Sequence, residues 1–384
     1  MNDGNSNRNH QTNHNHVRAV RAGECHDAAS FAALHRAWRA ARRGKKPSQD
    51  QLAFDFGWID RLLDLQRRLN AGTWSPSPST CFIATSPKAR EIHAPAFADR
   101  VVHHWLVPQL EAAYEPTFIH DSFSNRTGKG THMAVGRLRS FIRQVEAGQG
   151  GGFYLQCDVR NFFNALHRPT LYALLKARME REGLPEPARR AAHALLCHSA
   201  GHAGVRYACT AAERAKVPAY KRLDNAPPGC GIAIGNLSSQ FFANVYLDQL
   251  DQFVKHELRA PRYLRYVDDF VLIHRDRAQL QAWQAAIAAF LSDRLQLELK
   301  PGPILKPLTA GIDFLGYVIY PRHLVVRRRV IGHCRAKLAA IEQSRNFTAA
   351  RSVWASYEGH FRHANSWRLR RRIIARFPWL EQLS

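Results

Sequence analysis

The sequence predicts a protein of the α+β class. Predicted helices and strands are interspersed along its 384 residues, but they do not follow the βαβ rhythm of a parallel sheet. The hydrophobic fraction of 45% is ordinary for a globular protein, and the chain is long enough for a sizeable core with two or three packed subregions. No run of about 18 apolar residues is present, so no membrane span is expected.

Hydrophobic periodicity places the helices. Residues 1–27 are rich in Asn and His and nearly free of apolar side chains, which predicts a disordered tail. Apolar residues at three- and four-residue spacing predict a helix that starts near residue 28 and a second helix over 58–70. Further helices are predicted at 97–114, 167–183, 238–258 and 277–293 and in the last 50 residues, while 184–228 cannot be ordered.

Short runs of β-branched and aromatic residues predict the strands. "TCFIAT" (80–85) and "AREIHAP" (89–95) are the first two, and "GGFYLQCDV" (151–159) emerges from a glycine turn. "PRYLRYVDDFVLIHRD" (261–276) has the composition of two strand arms. Further strands are predicted in "GIDFLGYVIYP" (311–321) and "HLVVRRRV" (323–330).

The charge balance points to a polyanionic partner. The chain carries 55 Lys and Arg against 31 Asp and Glu, a formal net charge of +24. An excess of this size favours nucleic-acid binding over the alternative, a merely solubilising surface.

The cysteines and the N-terminus bear on the compartment. The seven cysteines are scattered and never spaced CxxC, which argues for reduced thiols and against a disulfide framework or a zinc ribbon. Since the N-terminus also lacks the apolar core of a signal peptide, a cytoplasmic location is expected.

Three carboxylates indicate which chemistry the protein could perform. Asp268 and Asp269 interrupt an apolar, aromatic-rich run, and Asp158 ends another apolar strand. Carboxylates that converge in this way repel each other unless a cation lies between them. Mg²⁺ prefers such hard oxygen ligands, and a pair of ions about 4 Å apart can support phosphoryl transfer. A solvated hairpin turn is the plainer alternative for the two adjacent aspartates.

Several blocks of the sequence resemble the reverse transcriptases. "YVDD" (266–269) resembles their catalytic box and "CDVRNFF" (157–163) their upstream metal-binding box. Blocks at 87–106, 118–135, 229–251 and 313–319 follow in the family's order, and the similarity spans roughly residues 28–375. "IGNLSSQFFANVYL" together with "HANS" resembles the enzymes of diversity-generating retroelements, with retron and group II intron enzymes as the nearer competitors.

The resemblance implies a right-hand polymerase. Fingers and a palm, made of an antiparallel sheet plus helices, would occupy residues 28–320, and a basic helical thumb residues 321–384. The implied activity is synthesis of cDNA from an RNA template, with a DNA or RNA primer and dNTPs, by two Mg²⁺ ions or by Mn²⁺ in their place. A retroelement context would add a small basic accessory protein as a partner.

Site residues follow from the resemblance by position. Asp158, Asp268 and Asp269 would be the catalytic and metal-binding triad, and the backbone of Val159 would touch a metal or the triphosphate. Phe163 would lie against the sugar edge and exclude a 2′-hydroxyl, whereas one of Phe162 and Phe163 is expected to be plain core.

Further positions would bind the nucleotide and the nucleic acid. Lys88 and Arg90 would grip the triphosphate, Arg with a bidentate fork and Lys as a point charge. Template and primer contacts are expected at Arg126 and Lys129, at Ser239 and Gln240, and at Phe314, Leu315 and Gly316.

Departures from the family pattern are informative too. Many relatives have Gln before a Gly that corresponds to Gly235, but this chain has Ile234, which cannot donate an amide hydrogen bond to the nucleotide or its template base. The resemblance to retroelement enzymes therefore implies error-prone copying. The relatives also place a lysine that protonates the leaving pyrophosphate, for which Lys300 and Lys306 are candidates.

Three rival functions remain open from the sequence. A retron-type, group II intron-like or defence-associated enzyme would share this chemistry on a different RNA. A catalytically inactive RNA-binding module is disfavoured because all three aspartates are present, and a generic DNA-binding protein is the weakest alternative.

Overall fold

The computed structural model describes residues 29–44, 46–85, 88–147, 151–345, 347 and 350–383, so the predicted N-terminal tail lies outside the described residues. Helices and an antiparallel sheet are mixed along the chain, which confirms the α+β class. The α-helices of the described residues are α1 (Phe31–Arg42), α2 (Gln49–Phe56), α3 (Trp58–Ala71), α4 (Phe97–Tyr114), α5 (Thr131–Glu146), α6 (Phe162–Ala165), α7 (Arg168–Arg181), α8 (Glu186–Cys197), α9 (Ala211–Ala215), α10 (Leu237–Gln252), α11 (Arg277–Leu295), α12 (Arg328–Ser344), α13 (Ala350–Arg362) and α14 (Trp367–Arg376). The strands are β1 (Thr80–Ala84), β2 (Arg90–Ala94), β3 (Phe153–Asp158), β4 (Arg206–Tyr207), β5 (Tyr263–Tyr266), β6 (Asp269–His274), β7 (Ile304–Pro307), β8 (Ile312–Phe314), β9 (Tyr317–Ile319) and β10 (Leu324–Val326).

Local sequence signals explain where several helices begin and end. The Ser30 hydroxyl accepts a hydrogen bond from the Ala33 N–H at the start of α1, and the Asp276 carboxylate accepts one from the Ala278 N–H at the start of α11. Gly72, with φ of +71°, closes α3 in the left-handed conformation that glycine adopts without strain.

A four-stranded antiparallel sheet with the order β5-β6-β3-β7 lies at the centre. One face, which includes Leu155 and Phe270, packs in a hydrophobic core with α10 and α11. The opposite face, which includes Val271 and Ile273, packs in a second core with α5 and the C-terminal helices α12–α14. Because both faces are covered, the polar ends of the strands are the parts of the sheet from which side chains can reach solvent.

Two three-stranded sheets accompany it, with the orders β2-β1-β4 and β10-β9-β8. In the first, β1 pairs antiparallel with β2 and parallel with the short β4, which joins residues that are far apart in sequence. In the second, Leu315 and Gly316 have φ of +50° and +88° and form the tight turn between β8 and β9. The expected boundary between residues 320 and 321 falls in the turn that joins β9 to β10.

The structure adds elements that the patterns did not predict. It contains the helices α2 and α5 and orders the stretch 184–228 into α8, β4 and α9. The helix expected over 238–258 is α-helical as far as Gln252 and continues as a π-helical turn over Phe253–Glu257. None of the helices in the described part of the chain combines the length and the apolar character that a membrane crossing needs.

Candidate active site at the end of the four-stranded sheet

Strand register brings two of the three aspartates together. Asp158 is the last residue of β3, Asp269 is the first residue of β6, and the two are directly paired across the antiparallel ladder. Residues paired in this way point to the same face, with their Cβ atoms about 4.5–5.5 Å apart. The sequence therefore places two carboxylates side by side at one end of the sheet.

The third aspartate lies in the turn of the β5–β6 hairpin. Asp268 follows Val267, whose φ of +57° is unusual for a β-branched residue and costs about 1–3 kcal/mol of backbone strain. The guanidinium of Arg265 donates a hydrogen bond of 2.9 Å to the Val267 carbonyl. Arg265 thus holds the turn in the conformation that presents Asp268.

Arg265 is itself fixed by a buried network. Its Nε and Nη2 atoms donate hydrogen bonds of 2.8 and 2.6 Å to the two carboxylate oxygens of Asp251, and both side chains are 0% exposed. The Tyr263 hydroxyl donates a further hydrogen bond to Asp251, and Ser122 and Asn244 accept from Arg265. Burial alone lowers the pKa of Arg265, but the Asp251 carboxylate more than offsets this and raises it, so the pair stays ionised.

Among the residues that the structure describes, Asp268 and Asp269 have no such ion-pair partner. Burial, followed by the charges of Asp158 and Asp269, raises the pKa of Asp268 to about 7. Burial and the charge of Asp158 raise the pKa of Asp269 to about 6, although Lys300 and Lys88 act in the opposite direction. Like charges in a partly desolvated position favour the protonated form, and an added cation would favour the ionised form.

Lys300 is the lysine that the structure brings to the site. Its Nζ lies 2.7 Å from Asp158 Oδ2, and its backbone N–H donates to the Asp158 carbonyl at 2.8 Å. Hydrogen bonding to Asp158 raises the pKa of Lys300, which keeps it protonated. Lys306 is paired with Tyr154 in the β3–β7 ladder, four residues and about 13 Å along the strand from Asp158.

Val159 directly follows the end of β3. It is paired with Leu299 in an isolated antiparallel bridge. The hydrogen bonds on either side of this pair run from the Lys300 N–H to the Asp158 carbonyl and from the Arg160 N–H to the Glu298 carbonyl. The N–H and carbonyl of Val159 therefore face away from Leu299, toward the β6 side of β3.

The donor set of the site suits a hard divalent cation. Three carboxylates supply oxygen ligands of the kind that Mg²⁺ prefers, and their mutual repulsion is what a cation would relieve. The oxygens of the three aspartates do not all lie within 4.8 Å of one another. Within the described ranges, Cys81, Glu91 and His93 are the one group of three possible ligands that meets this distance.

The predicted triphosphate-binding residues lie on the same side of the molecule. Lys88 and Arg90 are exposed, and their positive charges act on Asp269 and Asp268 respectively. Arg90 begins β2, so its position relative to the aspartates is set by the small sheet.

Contacts between β2 and the segment 231–236 explain why residue 235 is a glycine. The His93 N–H donates to the Ile234 carbonyl at 3.1 Å, and Gly235 has φ of +114°. A Cβ on Gly235 would lie 2.8 Å from Ile92 Cγ2, so any larger residue would force the two segments apart. The Ile234 side chain is half-buried.

The remaining predicted residues differ in exposure. Phe162 is 2% exposed and belongs to the core, whereas Phe163 is half-buried. In α10, Ser239 is buried and Gln240 half-buried.

Two predicted template contacts are engaged inside the protein. Arg126 forms an ion pair with Glu115 at 2.8 Å, with only 5% of its side chain exposed, and also donates to the carbonyls of Ile119 and Ser122. Lys129 donates to the His120 carbonyl at 2.7 Å. These contacts favour a role in holding the loop for both side chains rather than phosphate binding.

The predicted primer-binding turn is tied to the central sheet. Phe314 is buried, and the Gln156 amide on β3 donates to the Asp313 carbonyl at 3.1 Å. A Cβ on Gly316 would lie 3.0 Å from the His360 ring, so glycine allows α13 to approach the turn.

Sequence reasoning missed Arg265 and Asp251 as site-positioning residues. Arg265 is a charged residue inside an otherwise apolar, aromatic strand, and that unusual placement is the signal that could have identified it, whereas Asp251 lies among the polar residues of α10 and gives no such signal.

No protein-family model matches the chain, and no curated protein matches it. Among solved structures, it is similar to telomerase from Candida albicans in complex with a TWJ fragment of telomeric RNA, at 11% identity and a TM-score of 0.41, over 73% of this chain and 55% of that one. Two apo telomerase structures from Candida tropicalis, one truncated from its C-terminal domain, match at 11% identity, with TM-scores of 0.46 and 0.43 over 65% and 66% of this chain and 56% and 48% of those. The chain thus spans about half the length of the telomerase chains it matches. Identities and TM-scores this low do not support an assignment of function.

Proposed function

We propose that the chain is an RNA-directed DNA polymerase. The observation that carries the proposal is the direct pairing of Asp158 with Asp269 at one end of an antiparallel sheet, with Asp268 in the adjoining turn. The resemblance of the surrounding blocks to reverse transcriptases supports the same reaction. Its partners would be an RNA template, a DNA or RNA primer and dNTPs.

In this proposal Asp158, Asp268 and Asp269 hold two Mg²⁺ ions. Bound there, the ions would supply activation of the primer 3′-hydroxyl and stabilisation of the charge on the leaving pyrophosphate. Catalysis of this kind depends mainly on positioning and charge neutralisation, with little covalent chemistry for the protein.

The chain's own residues would orient the reactants. Lys88 and Arg90 would bind the triphosphate from the exposed edge near β2, and the half-buried Phe163 would restrict the sugar to the deoxy form. Lys300, whose Nζ lies 2.7 Å from Asp158 Oδ2, would donate a proton to the leaving pyrophosphate. The turn at Leu315 and Gly316 would hold the primer end.

Primer extension tests the proposal. The full chain with poly(rA)/oligo(dT), dTTP and Mg²⁺ is expected to incorporate dTMP, and Asp268→Asn is expected to lose at least about 100-fold in rate, because loss of even an outer partner of a metal ligand costs about 10–100-fold. Asp293→Asn, at an exposed position on α11, is the matched control and should leave the rate unchanged. RNA binding without incorporation by the unaltered chain would contradict the proposal and favour an inactive RNA-binding module.

The finer assignment is to the diversity-generating retroelement type. It is supported by Ile234, by Ser239 and Gln240 and by the "HANS" segment at 363–366. A small basic accessory protein and a cytoplasmic location belong to this assignment. A template repeat beside a variable repeat in the genome would separate it from retron, group II intron and defence-associated enzymes.

A substitution at Ile234 tests the error-prone character. Ile234→Gln restores an amide that can hydrogen-bond near the nucleotide, and it is expected to lower misincorporation opposite template adenine by several-fold. Sequencing of cDNA made by both proteins measures the effect, with Ile59→Gln at an exposed position on α3 as a control for an added amide outside the site. Equal error spectra would contradict this account of Ile234.

A further inference from the structure

A second cluster of ligand atoms lies in the β1–β2 hairpin, apart from the aspartates. Cys81 on β1 is directly paired with His93 on β2, and Glu91 lies two residues before His93 on the same face. One ligand atom from each of these buried side chains lies within 4.8 Å of the others. The donors are a sulfur, an imidazole nitrogen and a carboxylate oxygen.

The Ser79 hydroxyl is the hydrogen-bond partner of His93 Nδ1. The Ser79 hydroxyl lies 3.2 Å from His93 Nδ1 and donates its single hydrogen to the Ala200 carbonyl at 3.4 Å. With that donation the hydroxyl accepts a hydrogen bond from Nδ1–H, and the neutral ring carries its lone pair on Nε2; donation from Ser79 to Nδ1 would give the other tautomer. A metal-binding histidine has this arrangement, with the outer nitrogen donating to a second residue.

His93 Nε2 is left without a hydrogen-bond partner in the described part of the chain. The residue is only 2% exposed, and Nε2 lies 3.7 Å from Glu91 Oε2, which is longer than a hydrogen bond. A buried polar atom of this kind requires an explanation, because leaving it unsatisfied costs about 1–3 kcal/mol. A cation shared by Nε2 and the carboxylate would satisfy both.

Cys209 is the candidate for a fourth ligand. The Ala208 N–H donates to the Cys81 carbonyl at 2.8 Å, so the next residue lies beside Cys81. Burial raises the pKa of Cys81 to about 12, and the charges of Glu91 and Cys209 contribute in the same direction.

The charges around the cluster are compatible with a dication. Arg214 binds Glu91 Oε1 at 2.9 Å and opposes a second positive group, but Arg214 is also paired with Asp224. Two thiolates, Glu91 and Asp224 together outweigh the charges of Arg214 and one divalent ion. The Leu223 N–H uses one lone pair of Glu91 Oε2 and leaves the other.

We propose that Cys81, Glu91, His93 and Cys209 form a structural Zn²⁺ site. Sulfur and imidazole donors favour Zn²⁺ over Mg²⁺, and four protein ligands leave no open position for a reaction. Binding would form two sulfur–zinc bonds and release the two thiol protons to solvent. The ion would fasten residues 206–225 to the hairpin that carries Arg90, independently of the aspartate site.

Cobalt substitution in the full chain tests this site. The unaltered protein is expected to show a sulfur-to-cobalt charge-transfer band that saturates near one equivalent of Co²⁺ and disappears on addition of Zn²⁺. Histidines at 10, 14 and 16 can also bind Co²⁺ but give no such band, and Cys25→Ser removes the cysteine of that N-terminal segment as a source of one. A missing band in the unaltered protein would overturn the proposal without recourse to any variant.

Variants assign the ligands. Cys81→Ser is expected to reduce the band by at least about half, the double variant Cys81→Ser/Cys209→Ser to abolish it, and His93→Gln to weaken zinc affinity by at least about 10-fold. Cys334→Ser, which removes a buried thiol of α12 far along the chain, is the matched control and should keep the band. An unchanged band in Cys81→Ser would overturn the assignment. Asp268→Asn should bind zinc normally, so failure of the polymerase proposal and failure of this one can be told apart.

Discussion

Asp251, which precedes β5 in the chain, and the half-buried aspartates of the candidate site differ in how their charge is neutralised. Asp251 is fully buried but receives two hydrogen bonds from Arg265 and one from Tyr263. Asp268, in the turn that follows β5, faces Asp158 and Asp269, and its pKa is raised to about 7 by burial and by their charges. A carboxylate that the chain itself neutralises maintains the architecture. A group of carboxylates that the chain leaves under-neutralised is suited to bind a cation from outside it.

The largest expected effect on stability comes from breaking the buried ion pair of Asp251 and Arg265. Asp251→Asn leaves the Arg265 guanidinium buried without its counter-ion, which should lower the free energy of unfolding by about 3–5 kcal/mol. Chemical denaturation monitored by circular dichroism measures the loss, with the exposed Asp293→Asn as the control. A loss below about 1 kcal/mol would show that the two aspartates are not energetically distinct.

An Asp→Asn substitution at the candidate site should change the free energy of unfolding in the opposite direction. Asp268→Asn removes a repelling charge, and in metal-free buffer with EDTA at pH 8 it should raise the free energy of unfolding by about 1–2 kcal/mol. The pKa of Asp268 is raised to about 7 in the folded state, whereas in the unfolded chain it is near 4. Ionised Asp268 therefore destabilises the fold: this loss of stability is absent below about pH 4, grows as the pH rises and is complete above about pH 7. The gain measured at pH 8 should therefore vanish at pH 4, and a destabilised variant at pH 8 would contradict the comparison.

Much of the candidate site could be predicted from the sequence because its signals are local. Carboxylates that interrupt two apolar strands are visible in the letters, and the structure does pair Asp158 with Asp269. The helix over Phe97–Tyr114 was predicted with its observed ends because its apolar residues are dense and a turn precedes it.

What could not be predicted depends on contacts between distant segments. The parallel pairing of β4 with β1 joins residues more than 120 positions apart, and no short-range pattern encodes it. The nearness of Cys81, Glu91 and His93 depends on hairpin register, which CxxC spacing does not report. Arg126 appeared as a free basic residue because its partner Glu115 lies outside the glycine-rich loop.

The central sheet also has a consequence for dissecting the chain. Val271 and Ile273 on one face are covered by side chains from α5 and from α12–α14, so the C-terminal helices and the strands that carry the aspartates share one core. A fragment truncated after residue 320 would lose that cover and would split the β9–β10 hairpin. We expect such a fragment to aggregate through its uncovered apolar surface rather than fold as an autonomous module. Recombination that exchanges the C-terminal helices between related proteins would have to preserve the whole interface to give a foldable chimera.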